Sequence, residues 1–466
     1  MSIPKTLRVR GGTVLFLLLF AVGNGPGLAA DRKKVAEAER LIEEAFGHGA
    51  SFLRSDNKKE KKQAKEQLAR AESILQQQFN KHKNCEPCAV HLSRTRFYQA
   101  YFGIDRNYKQ CIATVEKARE RFPDNPRLAL VAGYAYHNRE QWSESIKSLK
   151  EFLILSEGEP EREAQAQQFL ESAQEKFLSS WYQHAEFYGS KDAKFTRMNP
   201  QTFVNETVFE ITPQWENQVG QQAFQQMTAK SKVVQDPELQ RYLERLVARM
   251  VEKTPGPFPH YRVTVVDDPS VNAVTTPGHV VVFTGLIGFA ENESELVGVL
   301  AHELAHNYGH HAGRKFLQAV RSEALAESIV TEINPETARG RLIADLTSKI
   351  AVDLFIRAYT RMEERQADHY GSHIAFNAGY DPTSMSTMFL KMYKANPKQG
   401  IRFLRTHPPM PKRIEYVTEY LENFPLEREL RSDTEDFQKI KARLFPQHRQ
   451  RPGEPPAEDR KGLVKP

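Results

Sequence analysis

Residues 292–313, NESELVGVLAHELAHNYGHHAG, decide how this chain is read. Asn292 is suited to cap the first turn of a helix, and Glu295 stands where a carboxylate can reach back to that cap. Leu296, Val299, Leu300 and Leu304 then recur at helical spacing and form one apolar stripe. On such a helix His302 and His306 lie one turn apart on the same side, so their imidazoles can grip one metal ion. Glu303, one step round, lies close to that ion without being needed as a ligand and is the candidate proton acceptor.

Strand chemistry precedes this helix. Residues 261–266 alternate, Asp267, Asp268 and Pro269 make a turn, and Gly278 leads into Val280, Val281, Val282 and Phe283. Further upstream, 218–229 and 237–251 read as amphipathic helices, the second with Leu239, Tyr242, Leu243, Leu246 and Met250 along one face. Downstream, 316–359 reads as mostly helical with a break near Asn334 and Pro335. Past Pro425 the chain is highly charged, has one candidate helix at 433–444, and is expected to be disordered.

Two histidines leave a zinc ion short of a protein ligand. Downstream candidates are Glu363, Glu364, Asp368, His369, His373 and His407. In the helical segment YTRMEERQADHYG, residues 359–371, Glu364 and Asp368 share a face. One of them can bind the metal while the other receives the free ring N–H of a ligand histidine.

The chain has 466 residues, enough for two or three domains, and a net charge of +6 without a basic, aromatic-interleaved cluster, which does not point to nucleic acid. Lys5, Arg8 and Arg10 precede an apolar run at 14–22 and the small residues Leu28, Ala29 and Ala30. That is the layout of a signal peptide, residues 1–30, cleaved near Ala30, and it predicts export to a periplasm or the exterior. No later stretch reaches membrane-spanning length. Cys85, Cys88 and Cys111 leave one cysteine over if two are paired.

Residues 31–190 read as helix after helix, with a period that registers as two degenerate tetratricopeptide-like repeats at about 92–125 and 126–159. A composition change between Tyr188 and Glu216 places a domain boundary there. The expected organisation is α+β and mostly helical: a tetratricopeptide-like domain at 31–190, a metallopeptidase domain with a small β-sheet at 191–425, and a charged tail at 426–466.

With those residues in view, the chain resembles the HtpX-like and CAAX-prenyl-endopeptidase family of zinc metallopeptidases over about residues 205–425. The resemblance rests on Asn272 and Ala273, Pro277 and Gly278, the run from Val280 to Leu286, the HExxH segment, His311, Glu364 and Asp368, and the late element His407, Pro408, Arg413 and Ile414. His279 departs from it, standing where a second glycine is usual. In type the chain resembles soluble, exported BepA-like members, although here the repeats precede the peptidase part. The resemblance implies one zinc held by His302, His306 and Glu364, Glu303 as general base, and Asp368 orienting a ligand histidine. His407 would either latch the zinc or stabilise the transition state. It also implies unfolded or extended polypeptide substrates, with a further protein partner possible on the repeats. The segment comprising Asn272, Val280, Val281, Val282 and Phe283 is expected to form an edge on which such a substrate pairs. The competing expectation is a chaperone-like binder or adaptor with a closed or silent site.

Overall fold

A computed structural model describes residues 29–55, 57–105, 107–156, 158–180, 213–229, 231–254, 256, 258–313, 315, 359–395, 403, 407 and 411–446, with short pieces at 7–8 and 14–15. The chain divides into two compact units, Met1–Ser179 and Ser180–Pro466. Most of the expected signal segment, the expected boundary segment and the expected helices of 316–358 lie outside the described residues. Among the described residues no helix is long and apolar enough to cross a membrane.

The first unit is helical: α1 Ala29–Ser55, α2 Lys58–Lys81, α3 Glu86–Tyr101, α4 Tyr108–Arg119, α5 Pro126–His137, α6 Trp142–Leu155 and α7 Pro160–Ser179. Asparagines start several of these helices. Asn107 and Asn125 each accept a backbone N–H from the first turn at 3.0 Å, satisfying donors the helix itself cannot. Consecutive helices pack as pairs, burying Ile42, Leu68, Leu75, Tyr98, Leu149, Phe152 and Phe177 between them. Helix α3 begins at Glu86 because Cys85 caps it and Pro87 occupies its first turn. Cys85 and Cys88 form a disulfide, and Cys111 is a buried free thiol.

In the second unit, α8 Pro213–Thr228 and α9 Pro237–Lys253 precede a three-stranded sheet. Strands β1 Arg262–Val266, β2 Ala273–Thr276 and β3 His279–Phe283 run in the order β1-β3-β2. Strand β3 is therefore central, parallel to β1 and antiparallel to β2. This overturns the expectation that Val280, Val281, Val282 and Phe283 present a free edge. Their backbone groups are taken on both sides, and the three valines are buried. Among the described residues the edge next to the HExxH helix is β2 instead. Gly278, at φ 76°, makes the tight β2–β3 turn after Pro277, a conformation open to glycine without strain.

Helix α10, Thr284–Phe289, leads to α11, Glu293–Tyr308, which carries the HExxH segment. Asn292 accepts the Glu295 N–H at 2.9 Å, as its position predicts. Every residue of α11 is buried, not only the apolar stripe. Its polar residues tolerate this because they are partnered: Tyr242 donates to Glu293 at 2.6 Å, and Lys391 to Glu295 at 2.6 Å. Helix α12, Arg361–Asn377, lies against α11 and is followed by α13, Thr383–Lys394, and α14, Pro411–Leu421. Gly371 sets the α11–α12 approach, since a Cβ there would lie 3.0 Å from the His302 backbone.

The candidate helix at 433–444 forms, and the expectation of disorder from 426 is corrected for 426–446. Helix α15, Glu435–Leu444, buries Phe437 and Ile440. The chain before it also holds the start of α11, with the Ser432 carbonyl accepting the Ser294 N–H at 3.0 Å and Asp433 accepting the Glu293 N–H at 3.0 Å. High charge suggests a solvated tail, but two apolar residues at helical spacing are enough to anchor it here.

Candidate metal centre

Four buried side chains from three places in the chain meet beside α11. His302, His306, Glu364 and His407 each offer a ligand atom, and these atoms all lie within 4.8 Å of one another. His302 Nε2 is 3.1 Å from His306 Nε2 and 3.3 Å from His407 Nδ1. Glu364 places Oε1 2.9 Å from His407 Nδ1 and 3.8 Å from His306 Nε2, and Oε2 3.6 Å from His302 Nε2. Donor atoms on a tetrahedral ion with bonds of about 2.0–2.1 Å are separated by roughly 3.4 Å, and these distances bracket that value. Three imidazole nitrogens and a carboxylate oxygen that converge in a buried place present lone pairs which one cation can satisfy together, so the cluster fits a metal ion.

Each donor is held from behind. His302 Nδ1 donates to Asp368 Oδ1 at 2.9 Å, so its other nitrogen faces the cluster. Arg413 joins two carboxylates of α12, with Nε 2.6 Å from Asp368 Oδ2 and Nη1 2.7 Å from Glu364 Oε2. Tyr416 adds a hydrogen bond to Asp368 at 2.9 Å. His407 is seated by Phe403, whose ring stacks on it at 4.4 Å, and Tyr359 stacks on His306 at 3.8 Å.

Burial sets the protonation of the site, modified by these partners. Burial holds His302 and His306 below the usual imidazole range, so both are neutral and can offer lone pairs. For Glu364 burial opposes the charged form, but Arg413 and then His407 outweigh it and keep the carboxylate ionised. Asp368 behaves in the same way, with Arg413 the main opposing influence. Burial also pulls His407 down, yet Glu364 and Glu303 on either side push it up to about 9.

Glu303 faces the cluster without joining it. Its Oε2 accepts the Thr275 backbone N–H of β2 at 3.1 Å, the Thr275 hydroxyl donates to its carbonyl at 2.7 Å, and Oε1 is 3.0 Å from His407 Nε2. Asn272, just before β2, has a buried Oδ1 with no hydrogen-bond partner among the described residues.

Residues 237–421 match the sequence model described as Peptidase family M48. Over these residues the chain is similar to peptidase family M48. Among its relatives, the beta-barrel assembly-enhancing protease of Escherichia coli is 25% identical over 205 residues, 41% of each chain. The mitochondrial metalloendopeptidase OMA1 of Schizosaccharomyces pombe is 28% identical over 193 residues, 40% of this chain and 55% of the relative. The mitochondrial OMA1 of Bos taurus is 32% identical over 163 residues, 33% of this chain and 31% of the relative. The alignment thus spans less than two thirds of any of these three relatives.

Within this matched part, the structure brings together His302, Glu303, His306, Glu364, Asp368 and His407, and leaves Val280 to Phe283 inside the sheet. His310, His369 and His373 are engaged elsewhere, with Glu216 and Tyr420. Sequence reasoning assigned no role to Arg413, Thr275 or Tyr359. Arg413 stood in the late matching element, but its partner Asp368 is 45 positions away, and nothing local announces that pairing.

Proposed function

We propose that this chain is a zinc-dependent endopeptidase acting on extended or unfolded polypeptides, exported with its N-terminal helical unit. The observation that carries the proposal is the buried four-donor cluster with a carboxylate outside the donor set, Glu303, aimed at it. The histidine-rich donor set suits zinc, with His302, His306 and Glu364 as its resident ligands. Bound zinc supplies Lewis-acid chemistry, polarising a carbonyl and acidifying a water.

The chain's own residues do the rest. Glu303, fixed by Thr275, accepts a proton from the attacking water and delivers it to the leaving amine. Arg413 keeps Glu364 and Asp368 ionised, and Asp368 keeps His302 in the tautomer that presents Nε2. An extended substrate pairs with the β2 edge, where Asn272 Oδ1 can accept a substrate N–H. Such pairing selects segments with free backbone groups and excludes folded chains.

His407 acts as a latch in this reading. Its Nδ1 lies among the ligand atoms and its Nε2 on Glu303, so it occupies both the open ligand position and the proton acceptor. The resting form is then closed, and substrate or a protein docked on the helical repeats must draw His407 away. Relatives named as a beta-barrel assembly-enhancing protease and as mitochondrial metalloendopeptidases support a role in membrane-protein quality control.

Two experiments test this. Purified protein should hold about one zinc per chain, and His302→Ala or Glu364→Ala should lose it; metal retained in both variants rejects the ligand set. His407→Ala should digest casein severalfold faster than the parent. Slower digestion at unchanged zinc content would make His407 a transition-state donor instead.

A further inference from the structure

Three side chains outside the donor set line up behind His306. His306 Nδ1 is 2.8 Å from His311 Nδ1, His311 Nε2 is 2.9 Å from Gln366 Oε1, and Gln366 Nε2 donates to the Tyr370 hydroxyl at 2.9 Å. All four residues are buried. The hydrogen bonds have a direction. With its amide nitrogen on Tyr370, Gln366 turns its oxygen to His311, which must donate from Nε2. A neutral imidazole carries one N–H, so His311 Nδ1 is bare and accepts. His306 therefore donates from Nδ1, and its Nε2, which faces His302 and Glu364, keeps its lone pair. The opposite tautomer of His311 would set two N–H groups against each other or force the His306 proton onto the metal-facing nitrogen.

We propose that Gln366 and His311 are positioning residues that form a neutral hydrogen-bond relay, fixing the tautomer of His306 and holding its Nε2 open for the metal. This rests on the zinc-site reading above and extends it. The backbone is shaped for the relay. After α11 ends, His310 adopts φ 51°, a left-handed conformation unfavourable for an L-residue, and that turn leads into His311. The turn is held by His310 Nδ1 on Glu216 Oε2 of α8, a buried contact of 2.7 Å. Helix α12 thus serves both histidines, through Asp368 on His302 and through Gln366 and His311 on His306. The two supports differ. A carboxylate backs His302 and makes it the more basic ligand, whereas His306 is backed by uncharged groups that set direction without adding charge.

The relay is tested by zinc affinity, measured by chelator competition on the full chain, beside the unfolding midpoint of the metal-free protein. His311→Leu should weaken zinc binding by about 10–100-fold. His311→Asn, smaller but able to place an amide oxygen near where Nδ1 stood, should recover part of that loss. Gln366→Met should weaken binding in the parent yet add nothing in the His311→Leu background, because the relay is already cut. Parent-like affinity in His311→Leu, no recovery in His311→Asn, or a full additive loss in the double variant would each overturn the relay. His306→Ala serves as the control. If it still binds zinc like the parent, the ligand assignment fails, an outcome distinct from failure of the relay alone.

Discussion

Glu303→Gln is expected to lower turnover of an unfolded polypeptide by about 10²–10⁴-fold while zinc content stays at the parent level. The amide has nearly the shape of the carboxylate, and its oxygen can still accept the Thr275 N–H that now holds Glu303 at 3.1 Å. What it cannot do is take a proton from water. Casein digestion followed by release of soluble peptides, with metal measured on the same sample, checks this. Equal digestion by parent and variant would trace the activity to a contaminating protease. A parent that binds unfolded chains and cleaves none of them would favour the chaperone-like alternative.

Arg413→Leu should produce the largest loss of stability from a single change, about 3–5 kcal/mol, because it strands two buried carboxylates. Arg413, Asp368 and Glu364 are all buried, and the guanidinium contacts both acids at 2.6–2.7 Å. Arg413→Lys should rescue only part of this, since an ammonium cannot bridge two carboxylates in the plane of a fork. An exposed pair gives the contrast. Arg443 meets Asp236 at 2.7 Å with its side chain 40% exposed, and Arg443→Ala should cost less than about 1 kcal/mol. Urea unfolding of the second unit's signal in both variants measures the difference. Equal, small losses would show that the Arg413 network is solvent-screened and not structural.

Arg413 also shows how a residue can be visible in the sequence while its role is not. It sits in an element recognisable from the sequence, yet its partners are set by how α14 packs against α12. The β-sheet repeats the lesson. The valine-rich run of β3 reads as a strand from composition alone, but an edge strand and a central one differ in their neighbours, and Ala273–Thr276 supplies that second neighbour. The tail past Pro425 reads as solvated on charge, and Phe437 and Ile440 reverse that through contacts made far along the chain.

Short-range periodicity is legible without any tertiary contact. Asn292 as a cap, His302 and His306 on one side of a helix, and Glu364 with Asp368 one turn apart on another all follow from a helical repeat of 3.6 residues. The tertiary structure alone decided what depends on separation. His407 reaches His302 across 105 positions, Arg413 reaches Asp368 across 45, and Thr275 reaches Glu303 across 28. Such meetings are made by burying whole helix and strand faces against one another, and no local pattern of residues encodes where two distant faces will touch.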